Sequence, residues 1–295
     1  MKVKKAIITA AGLGTHFLPA TRAIPKEMLP VVDKPVIQYI VEEVVAAGIE
    51  EILIITGRNK SMIEDHFDHA VEIETTLRER HDDELLESTL SLSNLANIHF
   101  IRQKRPLGSG HALLMARAFV GSEPFAVLYG DELIDSKDAP CIKQMMTAYE
   151  SLEHSILAIR ENTKDQVEHY GVIESELNED GIHEIKGLLE KPQKEEAPSQ
   201  NTVVGRFVLR PEIFDYIDAI YEKSPSDVPL TKAITMLAKD QMVYGMDFEG
   251  KRYDIGSKTG YVKATLDFAL KREEMKHSIL EQMTTVVHEH RQNAL

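Results

Sequence analysis

The pattern of apolar and polar residues along the chain predicts buried strands that alternate with amphipathic helices. A continuous apolar run, KKAIITA at 4–10, is typical of a buried strand, and the spacing in VIQYIVEEVVAAGI at 36–49 predicts a helix that stops at Gly48. A second apolar run, EEILIIT at 50–56, follows directly. Strand, helix and strand in this order predict an α/β fold with a parallel sheet that helices cover.

The stretch from 59 to 96 interrupts this alternation. It is rich in charge, its apolar residues keep helical spacing, and it contains no clear strand pattern. We therefore expect a helical insertion that packs on the edge of the domain. Regular alternation then resumes with strands at 97–103, 124–132 and 155–161 and helices at 109–120 and 141–153.

The second half of the chain favours antiparallel strands. Apolar and polar residues alternate over 170–192 around Asp180-Gly181, which predicts a β-hairpin. A strand that runs into a helix is expected at 201–217, and two short strands around Glu249-Gly250. With no proline- or serine-rich linker, we expect one continuous domain over residues 1–260. Residues 261–295 form a helical extension that is expected to contact other copies of the chain.

Composition narrows the possible functions. The 295 residues carry a net charge of -14, which argues against a general nucleic-acid binder because such proteins need a basic face. One cysteine, Cys141, excludes an internal disulfide and favours a reducing compartment. Apolar stretches are too short to span a membrane, so a cytoplasmic protein without a membrane partner is expected.

The segment AAGLGTHFLPATRAIPKEMLP, residues 10–30, follows the first strand and has the composition of an anion-binding loop. Gly12 and Gly14 allow a tight turn that brings backbone N–H groups against a ligand. The glycines match neither the dinucleotide fingerprint nor the P-loop, so a simple turn is an equal alternative. Lys26 lies in a proline-pinned stretch and can neutralise a phosphate, the alternative being a solvated surface lysine.

Acidic residues follow two strands that are far apart in the chain. Asp131 closes the strand at 124–132, and Asp254 follows a short strand and precedes a glycine. Carboxylates at the ends of strands in an α/β sheet commonly hold a divalent cation with phosphates, and Mg²⁺ is the usual ion. A helix N-cap is the alternative for Asp131. Glu190 and Lys191, on alternate faces of a strand, are either two ligand contacts or an ordinary exposed pair.

Taken together and in order, these motifs resemble those of a known family. The remaining members of the set are Gln103 with Gly108, Tyr170-Gly171, Gly205-Arg206 and Asp254-Ile255-Gly256. The chain resembles the bacterial UTP–glucose-1-phosphate uridylyltransferases, which are sugar-nucleotide pyrophosphorylases, from Lys5 to about Leu270. The resemblance implies a Rossmann-like, mixed, mostly parallel sheet wrapped by helices. It also implies the Mg²⁺-dependent reaction of UTP and glucose 1-phosphate to UDP-glucose and pyrophosphate.

The resemblance also implies a role for each matching residue. The nucleotide side comprises Ala10, Ala11, Gly12, Gly14 and Glu27 at the loop, with Gln103 and Gly108 reading the uracil edge. The sugar-phosphate side comprises Gly171, Glu190, Gly205 and Lys191. Asp131 and Asp254 would hold Mg²⁺. The catalytic group would be Lys26, His16 and Asp131, and the family forms dimers or tetramers.

This chain departs from the family pattern at three places. His16 stands where the family usually has arginine, whose permanent charge and two-pronged donor suit a triphosphate. Arg22, where the family often has lysine, is a possible partial substitute. The segment SDVPLTK at 226–232 lacks the family's glycines, glutamate and glutamine, and Lys232 replaces its aspartate, which puts the sugar side in question. Glu132 replaces a second aspartate after Asp131.

Three functions remain open from the sequence. The first is a uridylyltransferase slowed by His16, and the second is a pyrophosphorylase for another nucleotide or sugar 1-phosphate. The third is a non-catalytic relative that binds a UDP-sugar.

Overall fold

The computed structural model describes residues 2–292, and its centre is a large mixed sheet. The strands, in chain order, are β1 (Lys5–Ala10), β2 (Pro30–Val31), β3 (Lys34–Pro35), β4 (Glu51–Thr56), β5 (Asn97–Arg102), β6 (Phe125–Tyr129), β7 (Glu132–Asp135), β8 (Ser155–Glu161), β9 (Gly171–Leu177), β10 (His183–Glu190), β11 (Asn201–Leu209), β12 (Val243–Asp247) and β13 (Lys251–Asp254). Within the described residues, nine of them form the central sheet in the order β5-β4-β1-β6-β11-β8-β12-β10-β9.

Most strands of this sheet point in one direction. The neighbours β5, β4, β1 and β6 are parallel, β12 is parallel to β8, and only β11 and β10 run against the rest in the described sheet. The expected mixed, mostly parallel sheet is therefore confirmed. Because the parallel strands end on one edge, the loops after β1, β4 and β6 meet there, which is where open α/β sheets bind ligands.

Helices cover both faces of the sheet. They are α1 (Val36–Ala46), α2 (Ser61–Phe67), α3 (Val71–Arg80), α4 (Asp83–Ser93), α5 (Ser109–Leu114), α6 (Arg117–Val120), α7 (Cys141–Leu152), α8 (Ile213–Lys223), α9 (Leu230–Asp240), α10 (Lys258–Leu270) and α11 (Glu273–Gln292). The apolar residues of α1, α2, α7 and α10 share one core with one face of the sheet. Those of α5, α6, α8 and α9 share a second core with the other face. Consecutive residues of β1, Ile7 and Ile8, enter different cores, as the two-residue period of a strand requires.

The helical insertion and the hairpin have the predicted form. Helices α2, α3 and α4 occupy residues 61–93 and precede the edge strand β5 in the chain. Strands β9 and β10 form the hairpin, and Gly181 adopts φ 75° in its turn. Positive φ at this point suits glycine, which has no β-carbon to clash with the backbone.

Two predicted segments were wrong in their continuity. The helix expected at 109–120 is divided into α5 and α6, because Met115 and Ala116 donate to carbonyls three residues back and tighten the turn. The strand expected over 124–132 ends at Tyr129. Glu132 instead begins β7, which pairs with β13 in a separate two-stranded sheet. The two-stranded sheet of β7 and β13 thus brings the regions around Asp131 and Asp254 together.

The C-terminal extension consists of α10 and α11, with a break at residues 271–272. Helix α10 packs on the main core through Ala264, whereas the side chains of α11 are largely exposed. The last part of the predicted extension, residues 293–295, lies outside the described residues. No helix among those described is long and apolar enough to cross a membrane.

Candidate active site

The glycine loop wraps around Lys26. Gly14 adopts φ 68° and begins a short 3-10 turn at Thr15–Phe17. A β-carbon at Gly12 would lie 3.4 Å from Nζ of Lys26, and one at Gly14 would lie 3.4 Å from its Cβ. The Thr21 hydroxyl donates to the Gly14 carbonyl at 2.6 Å and secures the turn. Both glycines therefore lie against the Lys26 side chain at the end of β1.

Lys26 is paired with Asp131 across the loop edge. Its ammonium donates to Oδ2 of Asp131, and both side chains are largely shielded from solvent. Burial lowers the pKa of Lys26, but attraction to the carboxylates of Asp131 and Glu27 outweighs burial and raises the pKa above its ordinary value. The lysine therefore stays positively charged and available to phosphate oxygens.

Glu27 lies beneath the loop. Its carboxylate accepts two hydrogen bonds from Nζ of Lys60, at 2.8 and 2.7 Å, and the residue is 1% exposed. Burial raises the pKa of Glu27 and lowers that of Lys60, against their mutual attraction. We interpret Glu27 as a support that ties the glycine loop to Lys60 at the start of α2.

Asp131 and Asp254 come together around Gly256. A β-carbon at Gly256 would lie 3.0 Å from Oδ1 of Asp254 and 3.2 Å from Oδ2 of Asp131, so both oxygens face one small space. The backbone holds this arrangement, because the Ile255 N–H donates to the Asp131 carbonyl at 2.9 Å. A side chain at Gly256 would crowd both carboxylates, which would have to shift by a few tenths of an ångström.

The charges around this space favour a cation. Burial raises the pKa of Asp254, and repulsion from Glu132 and Asp131 acts in the same direction despite Arg252 nearby. A divalent cation would relieve that repulsion. No group of three or more histidine, cysteine, aspartate or glutamate side chains suited to a metal occurs within residues 2–292. Two carboxylates would leave the other coordination positions of an ion free for substrate phosphates. This arrangement fits Mg²⁺.

His16 lies at the mouth of the same space. Its imidazole is exposed, and Nδ1 is 3.3 Å from the Gly256 carbonyl oxygen. The ring of the next residue, Phe17, packs edge-on against Tyr261 of α10 at 5.6 Å and anchors this part of the loop. The position expected to clamp a triphosphate thus contacts the glycine that lies beside both carboxylates. Arg22 has an exposed side chain at the end of the next 3-10 turn.

Gln103 and Gly108 lie just after β5 and contact each other. The side-chain amide of Gln103 donates to the Gly108 carbonyl at 3.2 Å and contacts His111 at 2.9 Å. Gly108 has φ 102°, and a β-carbon there would lie 2.7 Å from the Val228 carbonyl oxygen. Only glycine allows this close approach.

The 226–232 segment contacts the Gly108 loop. The sequence led us to expect this segment near the sugar side. Val228 packs on the Gly108 loop through paired backbone hydrogen bonds, while Thr231 reaches Gly171. The segment therefore borders both proposed substrate sides, and its altered sequence bears on the base as well as on the sugar.

The residues expected on the sugar side also gather at one place. Gly171 and Glu190 are cross-strand partners, and a β-carbon at Gly171 would lie 3.5 Å from Oε2 of Glu190. Gly205 packs directly under Tyr129, where a β-carbon would lie 2.7 Å from that residue's Cβ. The expectation that Lys191 continues the strand was wrong. Strand β10 ends at Glu190, and Lys191 leaves the strand with φ 45°, a conformation that is unusual for lysine.

Sequence reasoning missed the polar side chains that support Asp254. Arg252 binds Glu132 through two nitrogens, at 2.8 and 3.0 Å, and stacks on the ring of Tyr170. The Tyr170 hydroxyl donates to Oδ2 of Asp254 at 3.2 Å. A usable signal was present, because Arg252 and Asp254 are two residues apart on a strand and therefore share a face.

A fully buried arginine is the second feature that the sequence did not reveal. Arg206 is 0% exposed and binds the Glu43 carboxylate, with the shortest contact at 2.7 Å. It also donates to the backbone carbonyls of Gly205 and Glu132. A buried charge needs such complete pairing. The arginine thereby joins β11 to the strand that follows Asp131.

Comparisons with known proteins identify the family. A model of the nucleotidyl transferase family matches residues 5–270. A UTP–glucose-1-phosphate uridylyltransferase from Staphylococcus epidermidis is 49% identical over 278 residues, which cover 94% of this chain and 96% of the relative. The chain belongs to the nucleotidyl transferase family. The Staphylococcus epidermidis relative confirms the resemblance to the uridylyltransferases that the sequence motifs indicated.

Solved structures extend the comparison. A UDP-glucose pyrophosphorylase complexed with UDP-glucose matches with a TM-score of 0.82 and 42% identity, covering 92% of this chain and all of the other. A UTP-bound enzyme of the same kind from Acinetobacter baumannii matches with a TM-score of 0.86 and 36% identity, covering 96% and 99%. The nucleotidyl transferase described here therefore has the fold of structures that hold these two nucleotides.

Proposed function

We propose that the protein transfers uridylyl from UTP to glucose 1-phosphate and releases pyrophosphate, with Mg²⁺ as the metal ion. One observation carries the proposal. Lys26 and the carboxylates of Asp131 and Asp254, from distant parts of the chain, meet beside a glycine loop at the ends of parallel strands. The relatives named for this reaction match nearly the full chain and support the same substrates.

The reaction joins two anions and needs no general base. A phosphate oxygen of glucose 1-phosphate attacks the α-phosphorus of UTP in line, and the bond from that phosphorus to the bridging oxygen breaks. Pyrophosphate leaves with the electron pair. Phosphate is already deprotonated enough to attack at neutral pH, so catalysis consists of positioning and charge stabilisation.

The side chains divide this work by charge. Lys26 binds phosphate oxygens of UTP through its ammonium, and the loop from Ala10 to Gly14 contributes backbone donors. Lys191 binds the phosphate of the sugar, while Gly171, Glu190 and Gly205 border the glucose. Asp131 and Asp254 would hold Mg²⁺, which supplies positive charge to the phosphates when it is bound.

A panel of substrates tests this assignment against the alternatives. Purified protein with Mg²⁺ is incubated with UTP, TTP, ATP, CTP or GTP and with several sugar 1-phosphates, and pyrophosphate release is measured. We expect a clear preference for UTP with glucose 1-phosphate. A preference for another pair would assign a different pyrophosphorylase activity. Binding of UDP-glucose by calorimetry without turnover would assign a non-catalytic binding protein.

We also propose that α11 mediates self-association into a dimer or tetramer. Leu280, Met283, Val286 and Val287 are exposed on this helix, with Val287 at 49%. Met283 and Val287 are one turn apart and share a face. An apolar stripe on an otherwise polar, exposed helix favours a partner helix. A second copy of the chain supplies an identical stripe.

Charge on this stripe should break the assembly. We expect the double variant Met283→Glu, Val287→Glu to elute as a monomer in light-scattering chromatography, because two carboxylates would be buried at the contact. Thr285→Glu, on the opposite side of the helix, is the matched control and should keep the wild-type mass. An unchanged mass for the double variant would contradict the proposed contact.

Two broader inferences accompany these proposals. The acidic net charge of -14 and the single buried cysteine support a cytoplasmic location without nucleic-acid partners. We also propose that residues 1–260 form the nucleotidyltransferase domain and 261–295 the extension that carries the subunit contact.

A further inference from the structure

Asp254 is held from two sides by groups that the proposed reaction has not used. Its Oδ1 accepts the Gly256 N–H at 2.9 Å, and its Oδ2 accepts the Tyr170 hydroxyl at 3.2 Å. A carboxylate bonded at both oxygens cannot rotate freely. The orientation that Asp254 presents toward Asp131 therefore depends on Tyr170.

Tyr170 is itself fixed by a rigid partner. The Arg252 guanidinium lies 4.2 Å from the centre of the tyrosine ring, close enough for a favourable cation–π contact. Arg252 is in turn fixed by its two hydrogen bonds to the nearly buried Glu132. The β7–β13 pairing places Glu132 directly opposite Asp254. Glu132, Arg252 and Tyr170 thus form a continuous brace behind the Asp254 carboxylate.

The same tyrosine also contacts the sugar-phosphate side. Its backbone carbonyl accepts the Lys191 N–H at 3.1 Å, at the point where Lys191 takes its unusual positive φ. The following residue, Gly171, lies beside Glu190. Tyr170 therefore contacts two parts of the site. Its backbone carbonyl binds the turn at Lys191, and its hydroxyl binds the Asp254 carboxylate at the proposed metal space.

We propose that Tyr170 is a positioning residue that orients Asp254 for the divalent cation through its hydroxyl and supports the Lys191 turn through its backbone. This inference rests on the proposed function for its meaning in catalysis. The hydroxyl acts on the metal side only, because the bond to Lys191 comes from the backbone. Loss of the hydroxyl should therefore weaken binding of the cation and leave binding of the sugar phosphate unchanged.

Tyr170→Phe isolates the hydroxyl, since phenylalanine keeps the ring that stacks on Arg252. Partners that orient metal ligands contribute about 10-fold or more to metal affinity. Binding of Mn²⁺ to the protein alone is measured from the electron paramagnetic resonance signal of the free ion. We expect the affinity of the variant for Mn²⁺ to be about 10-fold lower than that of the wild type. The Mg²⁺ concentration for half-maximal pyrophosphate release should rise to a similar extent. At saturating Mg²⁺, kcat and the KM for glucose 1-phosphate should return to wild-type values.

Tyr216→Phe is the matched control. The Tyr216 hydroxyl also donates to an aspartate, Asp240, at 2.9 Å, but between α8 and α9. This variant should bind Mn²⁺ as the wild type does. Wild-type Mn²⁺ affinity in Tyr170→Phe, an equal loss in Tyr216→Phe, or no Mn²⁺ binding by the wild type would overturn the inference. A wild type that binds Mn²⁺ and shows the Tyr170 effect, yet releases no pyrophosphate, would contradict only the proposed function.

Discussion

Replacement of Lys26 by Met should lower kcat/KM for pyrophosphate release by about 10³-fold, the range seen when one charge-stabilising donor is removed from an active site. The ammonium lies beside Gly12 of the glycine loop, and the Cβ of the same lysine lies beside Gly14. Its loss also leaves the Asp131 carboxylate without its ion-pair partner. Both effects oppose the approach of a triphosphate. Steady-state kinetics with UTP varied at saturating glucose 1-phosphate measure the change.

The matched control for Lys26→Met is Lys186→Met. Lys186 is a half-exposed lysine on β10 that pairs with Glu184 and Glu176, and its removal takes away the same charge. We expect wild-type kinetics for this variant and an unchanged circular dichroism spectrum for both. Kinetics of Lys26→Met within threefold of wild type would exclude a phosphate-binding role for this lysine.

Replacement of His16 by Arg should raise kcat by about 10²-fold, which is the lower end of the effect of one transition-state donor. The exposed imidazole borders the space between Asp131 and Asp254, with Nδ1 3.3 Å from the Gly256 carbonyl. An arginine from the same backbone position brings a longer side chain and a permanent, two-pronged positive charge. Because triphosphate charge moves to the leaving pyrophosphate, the gain should appear in kcat.

His16→Gln separates charge from hydrogen bonding. Glutamine keeps a polar side chain but cannot become positive, so its kcat should not rise above that of the wild type. A His16→Arg protein with wild-type kcat would mean that the histidine does not limit turnover. The departure from the family pattern at this position would then be functionally neutral.

The elements that the sequence predicted best are those with strong local patterns. The apolar runs of β1, β4 and β6 have the length of strands and lie just before a glycine, whereas α1 shows the apolar spacing of an amphipathic helix. The hairpin at Asp180-Gly181 carried its own turn signal. By contrast, the strand from Glu132 depends on a partner more than 100 residues away, which no local pattern contains.

The candidate site divides in the same way. Lys26 was a candidate because it lies in a proline-pinned stretch after the glycine turn, and Asp131 and Asp254 were candidates because each follows an apolar strand. The brace of Glu132, Arg252 and Tyr170 depends on how β7 and β13 pair. The place of Val228 against Gly108 similarly depends on a backbone contact between distant loops. Such contacts follow from the packed fold and leave only weak marks on the sequence.

The fate of the phosphorus atoms of UTP tests the proposed reaction most directly. Purified protein is incubated with Mg²⁺, glucose 1-phosphate and UTP that is ³²P-labelled at either the α- or the γ-position. We expect the α-label to appear in UDP-glucose and the γ-label in pyrophosphate, in equal amounts and only when glucose 1-phosphate is present. No labelled UDP-glucose at high protein concentration, or γ-label in a sugar product, would contradict uridylyl transfer by this protein.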